Sequence, residues 1–312
     1  MTQTSPLRIG TRGSPLALAQ AHEVQARLAA AHPDLAQPGA IEIVVIKTTG
    51  DMVQDRTLAL IGGKGLFTKE IDEAQLAGRV DIAVHSMKDV PTVLPDGLAL
   101  PCILEREDTR DAFMCLKAKQ LAELPAGSVI GTASLRRGAQ ILYRRPDLKV
   151  EPLRGNVQTR MKKLEEGVVD ATLLAMAGLR RLGLADRIAS ALEPEEMLPA
   201  VAQGAIGITC RTDDAAARRR LAPLDHADSH VRVVAERTFL GVLDGSCRTP
   251  IAGLAELAGD RLTFRGLVIK PDGSLAHENR LTGHRSEAEA IGRQAGEELL
   301  GRCEPGFFDF KG

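Results

Sequence analysis

Three ionisable side chains follow a strand-like run in the segment VDIAVHSMKDVP, which covers residues 80–91. The apolar run at 82–84 leads directly into His85, Lys88 and Asp89. In a parallel α/β sheet, buried strands read as apolar runs, and ligands bind at the carboxyl ends of the strands. We therefore expect these three residues to belong to a binding or catalytic site. The alternative is that they are ordinary solvated loop residues.

Arginine recurs beside the first turn of a helix in GTRGSPLALAQ, GTASLRRGAQIL and LRGNVQTRMKKL. Ser14, Ser134 and Asn156 suit the N-cap positions of these helices. Arginine is unfavourable there because the helix dipole already places partial positive charge at this end, and a bound anion would compensate for it. Taken singly, such arginines are usually solvated surface residues, but the repetition favours a polyanion site. The residues expected to hold the anion are Arg12, Arg136, Arg137, Arg154 and Arg160.

Cys247 lies in a Gly-Ser turn within LDGSCRTPIAG, between a helix and a strand-like segment. The neighbouring Arg248 favours the thiolate, which is the nucleophilic form of cysteine. The alternative is that Cys247 is a small structural residue. Cys102 and Cys210 lie within apolar strands and are interpreted as core residues.

Composition excludes several classes of function. The 312 residues carry 40 basic and 41 acidic side chains, so no overall field marks the chain for nucleic acid or a membrane surface. The five cysteines are odd in number and form no C-x-x-C pair, which argues against a disulfide framework and a zinc site. We expect no metal. The N-terminus, MTQTSPLRIG, lacks a basic region followed by an apolar core, and no 18 apolar residues run together, so we expect a cytoplasmic protein.

The elements that must position these residues alternate along the chain. Strand-like runs are found at 7–11, 41–48, 80–86, 128–133, 150–154, 170–176 and 205–210. Helical periodicity is clearest at 14–31, 67–78 and 156–167. This alternation predicts a doubly wound α/β fold. After about residue 222 a helix, strands near 263–270 and 275–282, and a second helix predict a small α+β domain.

Five motifs occur in an order that is similar to that of the porphobilinogen deaminase family. They are VHSMKDVP, GTASLRR, LRGNVQTR, AVAQGAIGI and LDGSCRTPIAG, and the resemblance covers nearly the whole chain. It implies a transferase of porphyrin and tetrapyrrole biosynthesis that acts on the small molecule porphobilinogen. Such an enzyme joins four porphobilinogen molecules head to tail into hydroxymethylbilane and releases ammonia. Each pyrrole carries an acetate and a propionate, which accounts for the arginines.

The resemblance also implies roles for individual residues. Asp89 matches the family's catalytic aspartate, which stabilises positive charge on the reacting pyrroles. Cys247 matches the cysteine that holds a dipyrromethane cofactor through a thioether. Lys64 matches a lysine of a mobile loop near the cleft. The residues implied in cofactor or substrate binding are Arg12, Ser14, Lys64, His85, Lys88, Ser134, Arg136, Arg137, Arg154, Arg160 and Gln203.

The family's architecture implies two periplasmic-binding-protein-like doubly wound α/β domains and a small α+β C-terminal domain, in a monomer. On this chain the expected domains are 1–104 with 205–222, then 105–204, then 223–312, the last carrying the cofactor cysteine. A cytoplasmic anion-binding protein of the same fold is the alternative, although it leaves Cys247 without a task. A cysteine hydrolase is a third reading, but no histidine lies near Cys247 in the sequence.

Overall fold

The structure is a computed structural model that describes residues 5–52, 65–245 and 249–309. Within these ranges the strands in chain order are β1 (Leu7–Thr11), β2 (Ile41–Val45), β3 (Ile82–Ser86), β4 (Leu98–Ile103), β5 (Asp111–Cys115), β6 (Val129–Gly131), β7 (Lys149–Glu151), β8 (Ala171–Ala175), β9 (Ser190–Leu192), β10 (Ile206–Arg211), β11 (Ile251–Ala258), β12 (Arg261–Ile269) and β13 (Ala276–His284).

The helices of the described ranges are α1 (Pro15–Ala31), α2 (Thr49–Met52), α3 (Lys69–Leu76), α4 (Leu135–Arg144), α5 (Val157–Glu165), α6 (Met176–Arg181), α7 (Ala215–Leu221), α8 (Ala227–Val242) and α9 (Ala288–Leu300). None of the helices in this part of the chain combines the length and the apolar character needed to cross a bilayer.

The chain forms two compact units. Within the described ranges, the first comprises residues 5–52, 65–107 and 205–230. The second comprises residues 108–204, 231–245 and 249–309.

The first unit is built on a five-stranded sheet with the order β2-β1-β3-β10-β4. β1 pairs in parallel with β2 and β3, and β10 inserts antiparallel between β3 and β4. The core consists of apolar side chains from the strands and from α1, whose buried face recurs every three or four residues at Ala17, Ala21, Val24 and Leu28. This sheet therefore brings the carboxyl ends of β1 and β3 side by side.

The second unit contains a five-stranded sheet with the order β7-β6-β8-β5-β9. β6 pairs in parallel with β7 and β8, and β5 runs antiparallel to β8 and β9. Two clusters of buried side chains pack on this sheet, one around Phe113 and the other around Leu174. A sheet that is covered on both faces explains why its central strands are continuous apolar runs.

A three-stranded antiparallel sheet, β11-β12-β13, completes the second unit. α9 packs on β12 and β13, and a further cluster joins Leu254 and Leu267 of this sheet to Ala139 of α4. Two doubly wound sheets followed by this small α+β region confirm the predicted fold class. The domain boundaries predicted near residues 104, 204 and 222 stay a prediction.

Candidate active site

The turn between β1 and α1 places Arg12 and Ser14 at the amino end of a helix. Ser14 is the N-cap of α1, and its Oγ accepts a hydrogen bond from the backbone N–H of Ala17 at 3.3 Å. Pro15 follows at the first helical position, where a backbone N–H has no intrahelical partner in any case. The N-cap predicted from the sequence is thus present, and Arg12 and Ser14 both line a pocket.

Asp89 lies on a short 3-10 turn, Met87–Asp89, that directly follows β3. The strand is buried as far as His85, which is 6% exposed, whereas Asp89 is half-buried. Gly207 of β10 packs against this turn so closely that a Cβ on it would lie 2.0 Å from the Met87 Sδ. The absence of a side chain at Gly207 therefore allows the turn to rest directly on the sheet.

A pocket of about 480 Å³, part of it open solvent, lies at the carboxyl end of β3. Apolar side chains of α1 and β3 and the ring of Phe67 form part of its wall. A few polar groups set into a partly apolar wall are typical of sites for small ligands. The pocket brings together five residues that the sequence analysis expected at a site, namely Arg12, Ser14, His85, Lys88 and Asp89.

The Asp89 carboxylate has neither a hydrogen bond nor an ion pair to any residue that the structure describes. Two other aspartates of the first unit form ion pairs: Asp81 contacts Arg8, and Asp51 contacts Arg12. A half-buried carboxylate without a partner among the described residues is available to a ligand.

A chain of three buried polar side chains fixes the orientation of the His85 ring. The His85 Nε2 lies 3.2 Å from the Thr209 Oγ1. The Thr209 hydroxyl in turn donates to the Gln75 Oε1 at 2.8 Å, while the Gln75 Nε2 donates to the Thr209 carbonyl at 2.7 Å. Since the hydroxyl proton is directed at Gln75, the Thr209 oxygen accepts from His85, which places a proton on Nε2.

Arg12 is held by a carboxylate and an aromatic ring. Its Nε lies 3.2 Å from each oxygen of Asp51, and its Nη2 also donates to Asp51. The Arg12 Cζ lies 4.2 Å from the centre of the Phe67 ring, a cation–π contact. Burial on its own would raise the pKa of Asp51, but the hydrogen bonds and charge of Arg12 outweigh it and hold that pKa below its usual range.

In the second unit, Arg136 and Arg137 surround one buried aspartate, Asp111. The Arg137 Nε and Nη2 donate to the Asp111 Oδ1 at 3.2 and 2.7 Å, and its Nη1 donates to the Leu173 carbonyl at 2.8 Å. The Arg136 Nη1 lies 2.8 Å from the Asp111 Oδ2, an ion-pair contact outside hydrogen-bond geometry, and donates to the Leu198 carbonyl. Burial would raise the pKa of Asp111, but the two arginines lower it far below its usual range.

The two arginines of this pair differ in what they leave for a ligand. All three side-chain nitrogens of Arg137 donate to protein acceptors. The Arg136 Nε is buried and has no hydrogen-bond partner within the described ranges. Ser134 is the N-cap of α4, as the sequence predicted, and its Oγ accepts from the Arg137 backbone N–H at 3.4 Å.

Gln203 is fully buried and joins the same cluster. Its Nε2 donates to the Asp111 Oδ1 at 2.9 Å and to the Thr109 carbonyl at 2.8 Å. The preceding residue, Ala202, has a φ of +57°, a conformation that is strained for a residue with a Cβ. The buried Glu236 side chain holds Ala202 in place by accepting from its backbone N–H at 2.6 Å. Gln203 is therefore positioned by a strained but well-anchored backbone.

Arg154 and Arg160 flank the turn that leads into α5. Asn156 is the N-cap, and its side chain accepts from the Thr159 backbone N–H at 2.9 Å. Gly155 has a φ of +119°, which a residue with a side chain rarely adopts. The Arg160 Nε donates to the Gly155 carbonyl at 2.9 Å, whereas the Arg154 Nη1 is buried without a hydrogen-bond partner among the described residues.

The structure adds residues that sequence reasoning missed. Gln20 and Ser86 line the pocket and bond to each other, with the Gln20 Nε2 donating to the Ser86 Oγ at 2.8 Å. Gln20 interrupts the otherwise apolar buried face of α1, and this interruption was the available signal. Asp111 was also missed, although an aspartate at the start of the apolar run DAFMC is similarly unusual.

Two residues predicted from the sequence, Cys247 and Lys64, lie outside the described residues.

Turns that place arginine beside helix N-caps occur on both doubly wound sheets, and this arrangement belongs to an α/β protein. The family model described as "Porphobilinogen deaminase, dipyromethane cofactor binding domain" matches residues 7–219, and "Porphobilinogen deaminase, C-terminal domain" matches residues 230–301. The chain belongs to the porphobilinogen deaminase family.

Relatives of this family match nearly the whole chain. A protein named "Porphobilinogen deaminase, chloroplastic" from Oryza sativa subsp. japonica is 61% identical over 310 residues, which is 98% of this chain and 87% of the relative. A "Porphobilinogen deaminase" from Paracoccus denitrificans is 58% identical over 306 residues, 98% of this chain and 97% of the relative. Among solved structures, the methionine-binding protein MetQ is 13% identical with a TM-score of 0.45, over 70% of this chain and 89% of that one.

Family membership confirms the enzyme class and function predicted from the sequence. The protein is a transferase of tetrapyrrole biosynthesis that joins four porphobilinogen molecules into hydroxymethylbilane and releases ammonia. Its matched N-terminal region is the family's dipyrromethane cofactor-binding domain. The alternative of a cytoplasmic anion-binding protein is not favoured.

Proposed function

We propose that Asp89 is the catalytic carboxylate of this condensation. The observation that carries the proposal is that Asp89 lines the pocket at the end of β3, and no described residue forms a hydrogen bond or an ion pair with its carboxylate. Arg12 and Lys88 line the same pocket and supply positive charge for the acetate and propionate of porphobilinogen. The Asp89 carboxylate can therefore face a positively charged reaction centre while the cations hold the substrate's own carboxylates.

The reaction develops positive charge where Asp89 can stabilise it. Each condensation breaks the C–N bond of porphobilinogen, and the electron pair leaves on ammonia. Positive charge remains on the pyrrole and its methylene carbon until a C–C bond forms there with the terminal α-carbon of the chain already bound. A proton then leaves that α-carbon. Asp89 stabilises the charge electrostatically, accepts hydrogen bonds from pyrrole N–H groups and assists proton transfer.

We further propose that Arg136, Arg154 and Arg160 bind substrate or cofactor carboxylates, together with Ser14 and His85 in the first unit. Two buried guanidinium nitrogens, the Arg136 Nε and the Arg154 Nη1, lack hydrogen-bond partners in the described ranges. An unsatisfied buried donor is costly, and a bound carboxylate would satisfy it. These residues therefore fit a polycarboxylate such as dipyrromethane.

The proposed roles of Arg137, Ser134 and Gln203 are supporting ones. Arg137 and Gln203 orient the Asp111 carboxylate, which in turn holds Arg136. Ser134 caps the helix on which both arginines lie. Lys64 is proposed as a further cation near the substrate, from its match to the family's loop lysine.

We propose that Cys247 carries the dipyrromethane cofactor through a thioether. When bound, the cofactor supplies a fixed pyrrole terminus to which the first substrate is joined. The other thiols are poorly suited to attachment. Cys102 and Cys210 are fully buried, and burial raises the pKa of Cys102 to about 12. The thiols of Cys115 and Cys303 donate to the carbonyls of Asp170 and Leu299 at 3.3 and 3.2 Å.

Replacement of Asp89 tests the catalytic role. Asp89→Asn should lower kcat by about 100-fold or more, because the carboxylate is replaced by an amide of nearly the same shape. Asp96→Asn, an exposed aspartate seven positions along the same segment, is the matched control and should retain normal turnover. Near-normal kcat in the Asp89 variant, measured as hydroxymethylbilane formed per second, would refute the assignment.

Intact mass and peptide mapping test the attachment site. The purified protein should carry a mass excess equal to two linked porphobilinogen-derived pyrroles on the peptide that contains Cys247. Cys247→Ser should lack this excess, and Cys303→Ser should retain it. Pyrroles retained in Cys247→Ser, after incubation with porphobilinogen, would show that another residue forms the bond.

We also propose that the chain acts as a cytoplasmic monomer without nucleic-acid or membrane partners. The near balance of 40 basic and 41 acidic residues supports the absence of such partners, because no overall positive field attracts nucleic acid or an anionic membrane surface. Light scattering at working concentration should give the mass of one chain, and a dimer mass would overturn the proposal for the oligomeric state.

A further inference from the structure

The pairing of Arg12 with Asp51 uses one defined edge of the guanidinium group. Asp51 accepts from the Arg12 Nε at 3.2 Å and from its Nη2, which is the side-on arrangement. The opposite edge consists of Nη1 and the second proton of Nη2. Within residues 5–52, 65–245 and 249–309, nothing hydrogen-bonds to the Arg12 Nη1. One full bidentate edge of Arg12 therefore remains for a ligand.

Asp51 reaches Arg12 from outside the pocket. The described lining of the pocket includes Arg12, Phe67 and Thr68 but not Asp51. The ring of Phe67 lies against the face of the guanidinium group, with the Arg12 Cζ 4.2 Å from its centre. Arg12 is thus fixed on one edge and one face by groups that do not occupy the ligand's place.

The Asp51 carboxylate is itself held before any ligand binds. The Thr48 Oγ1 donates to the Asp51 Oδ2 at 2.8 Å, and Thr48 is fully buried. The short helix that carries Asp51 is anchored at its start, because the Thr49 backbone N–H donates to the Glu70 Oε1 at 3.0 Å. This arrangement can fix a side chain in one orientation at low entropic cost.

From this geometry we propose that Asp51 is a positioning residue, which orients Arg12 so that its Nη1–Nη2 edge binds a substrate carboxylate. The proposal rests on the proposed role of Arg12 as a carboxylate contact. The opposite model is that Asp51 competes with the substrate for Arg12. The two models predict changes of opposite sign when the Asp51 carboxylate is removed.

The test is the KM of Asp51→Asn for porphobilinogen, measured on the holoenzyme. Positioning predicts that KM rises by about tenfold while kcat changes by less than about threefold, since a charge-assisted bond to Arg12 is weakened. Charge alone would predict the opposite, because removing the negative charge of Asp51 should strengthen binding of an anionic ligand and lower KM. An unchanged or lower KM would overturn the proposal, and a lower KM would support competition.

The chain provides a matched control in Asp81→Asn. Asp81 holds Arg8 of β1, the strand that Arg12 directly follows, by the same side-on geometry, with Nε and Nη2 distances of 3.2 and 2.8 Å. Neither residue lines the pocket described above. The control should leave KM unchanged. If KM rises equally in Asp51→Asn and Asp81→Asn, the cause is a general loss of packing in this unit, and the proposal is wrong.

Further variants separate failure of this proposal from failure of the proposed function. Arg12→Ala should raise KM strongly, and if it does not, the role of Arg12 itself is wrong. If it does, Asp51→Asn should add little in the Arg12→Ala background, because the two act as a unit. Additive effects would overturn the positioning role. Thr48→Val should raise KM by about threefold, and it serves as the test if Asp51→Asn fails to fold.

Discussion

Two regions of this protein begin from the same local pattern and use arginine differently. In both, a strand ends, a serine caps the next helix, and arginine lies beside the cap, at Arg12 in the first unit and at Arg136 and Arg137 in the second. The side chain of Arg12 is 23% exposed, and its aspartate partner is 29% exposed. The side chains of Arg136 and Arg137 are 5% exposed around a fully buried Asp111.

The difference shows that the partner carboxylate decides what an arginine can do. Asp51 holds one edge of Arg12, and the Nη1 of this arginine, which lines the pocket, has no hydrogen-bond partner among the described residues. Asp111 forms ion pairs with two arginines inside the protein and offsets part of their charge, because an unpaired charge there would be very costly. The first arrangement suits ligand binding, and the second chiefly stabilises the fold while leaving single nitrogens for a ligand.

The largest effect is expected from Asp111→Asn, which removes the charge shared by two buried arginines. The free energy of unfolding should fall by about 3–5 kcal/mol, because uncompensated guanidinium groups remain buried. Urea denaturation measures the change. Asp147→Asn, which breaks the exposed pair with Arg145, is the control and should leave the midpoint unchanged. A loss of less than about 1 kcal/mol in Asp111→Asn would break the comparison between the two regions.

The pH dependence of that stability has a defined sign. The folded pKa of Asp111 lies far below the unfolded value of about 3.9, so the group's contribution is present above that pH. It is lost as pH falls towards the folded value. The wild-type advantage over Asp111→Asn should accordingly shrink in acid.

Arg154→Lys tests whether the second region also binds ligand. Lysine keeps the charge but loses the planar fork, so KM for porphobilinogen should rise by about 10- to 100-fold, which corresponds to about 1.4–2.7 kcal/mol. Arg187→Lys is the control, since Arg187 pairs with Glu165 on the surface. An unchanged KM in Arg154→Lys would make the second region purely structural.

Asp72, in the first unit, is a buried aspartate whose pKa shifts in the opposite direction to that of Asp111 in the second unit. Burial raises the pKa of Asp72 to about 6, and no described arginine forms an ion pair with it. Its contribution to stability is therefore full below about pH 4 and is lost as pH rises through about 6. Asp72→Asn should be more stable than wild type by about 2 kcal/mol at pH 8 and by much less at pH 4. Equal differences at both pH values would contradict the raised pKa.

The smallest effect is expected from Thr209→Val, which removes the hydroxyl between Gln75 and His85. The unfolding free energy should fall by about 1 kcal/mol, and the ring nitrogens of His85 should lose their preference for a proton on Nε2. Nitrogen-15 NMR of histidine reports the tautomer directly. Thr209→Ser keeps the hydroxyl and should keep the tautomer, whereas a tautomer that survives Thr209→Val would show that another group orients His85.

Much of the fold followed from local patterns. The apolar run LRIGT forms β1 over the predicted residues, and the runs predicted at 41–48 and 170–176 form the shorter strands β2 and β8. The strand predicted at 150–154 is limited to Lys149–Glu151, because the chain turns away to form the cap of α5. The short strand β9 was not predicted, since three residues show no detectable alternation.

The sequence by itself determined the helix caps and the polar cluster that ends β3. Each cap is a hydrogen bond between residues three apart, such as that of Ser14 with Ala17, and each depends on residue types within one turn.

Only the tertiary structure decided which carboxylate meets each arginine. Asp51 is 39 residues from Arg12, and Asp111 is 26 residues from Arg137. Gln75 and Thr209, which orient His85, are 134 residues apart. Strand order and the antiparallel insertion of β10 decide which of these distant residues meet. Their separation in the sequence does not predict the contact, because the entropic cost of closing a loop depends only weakly on the number of residues in it.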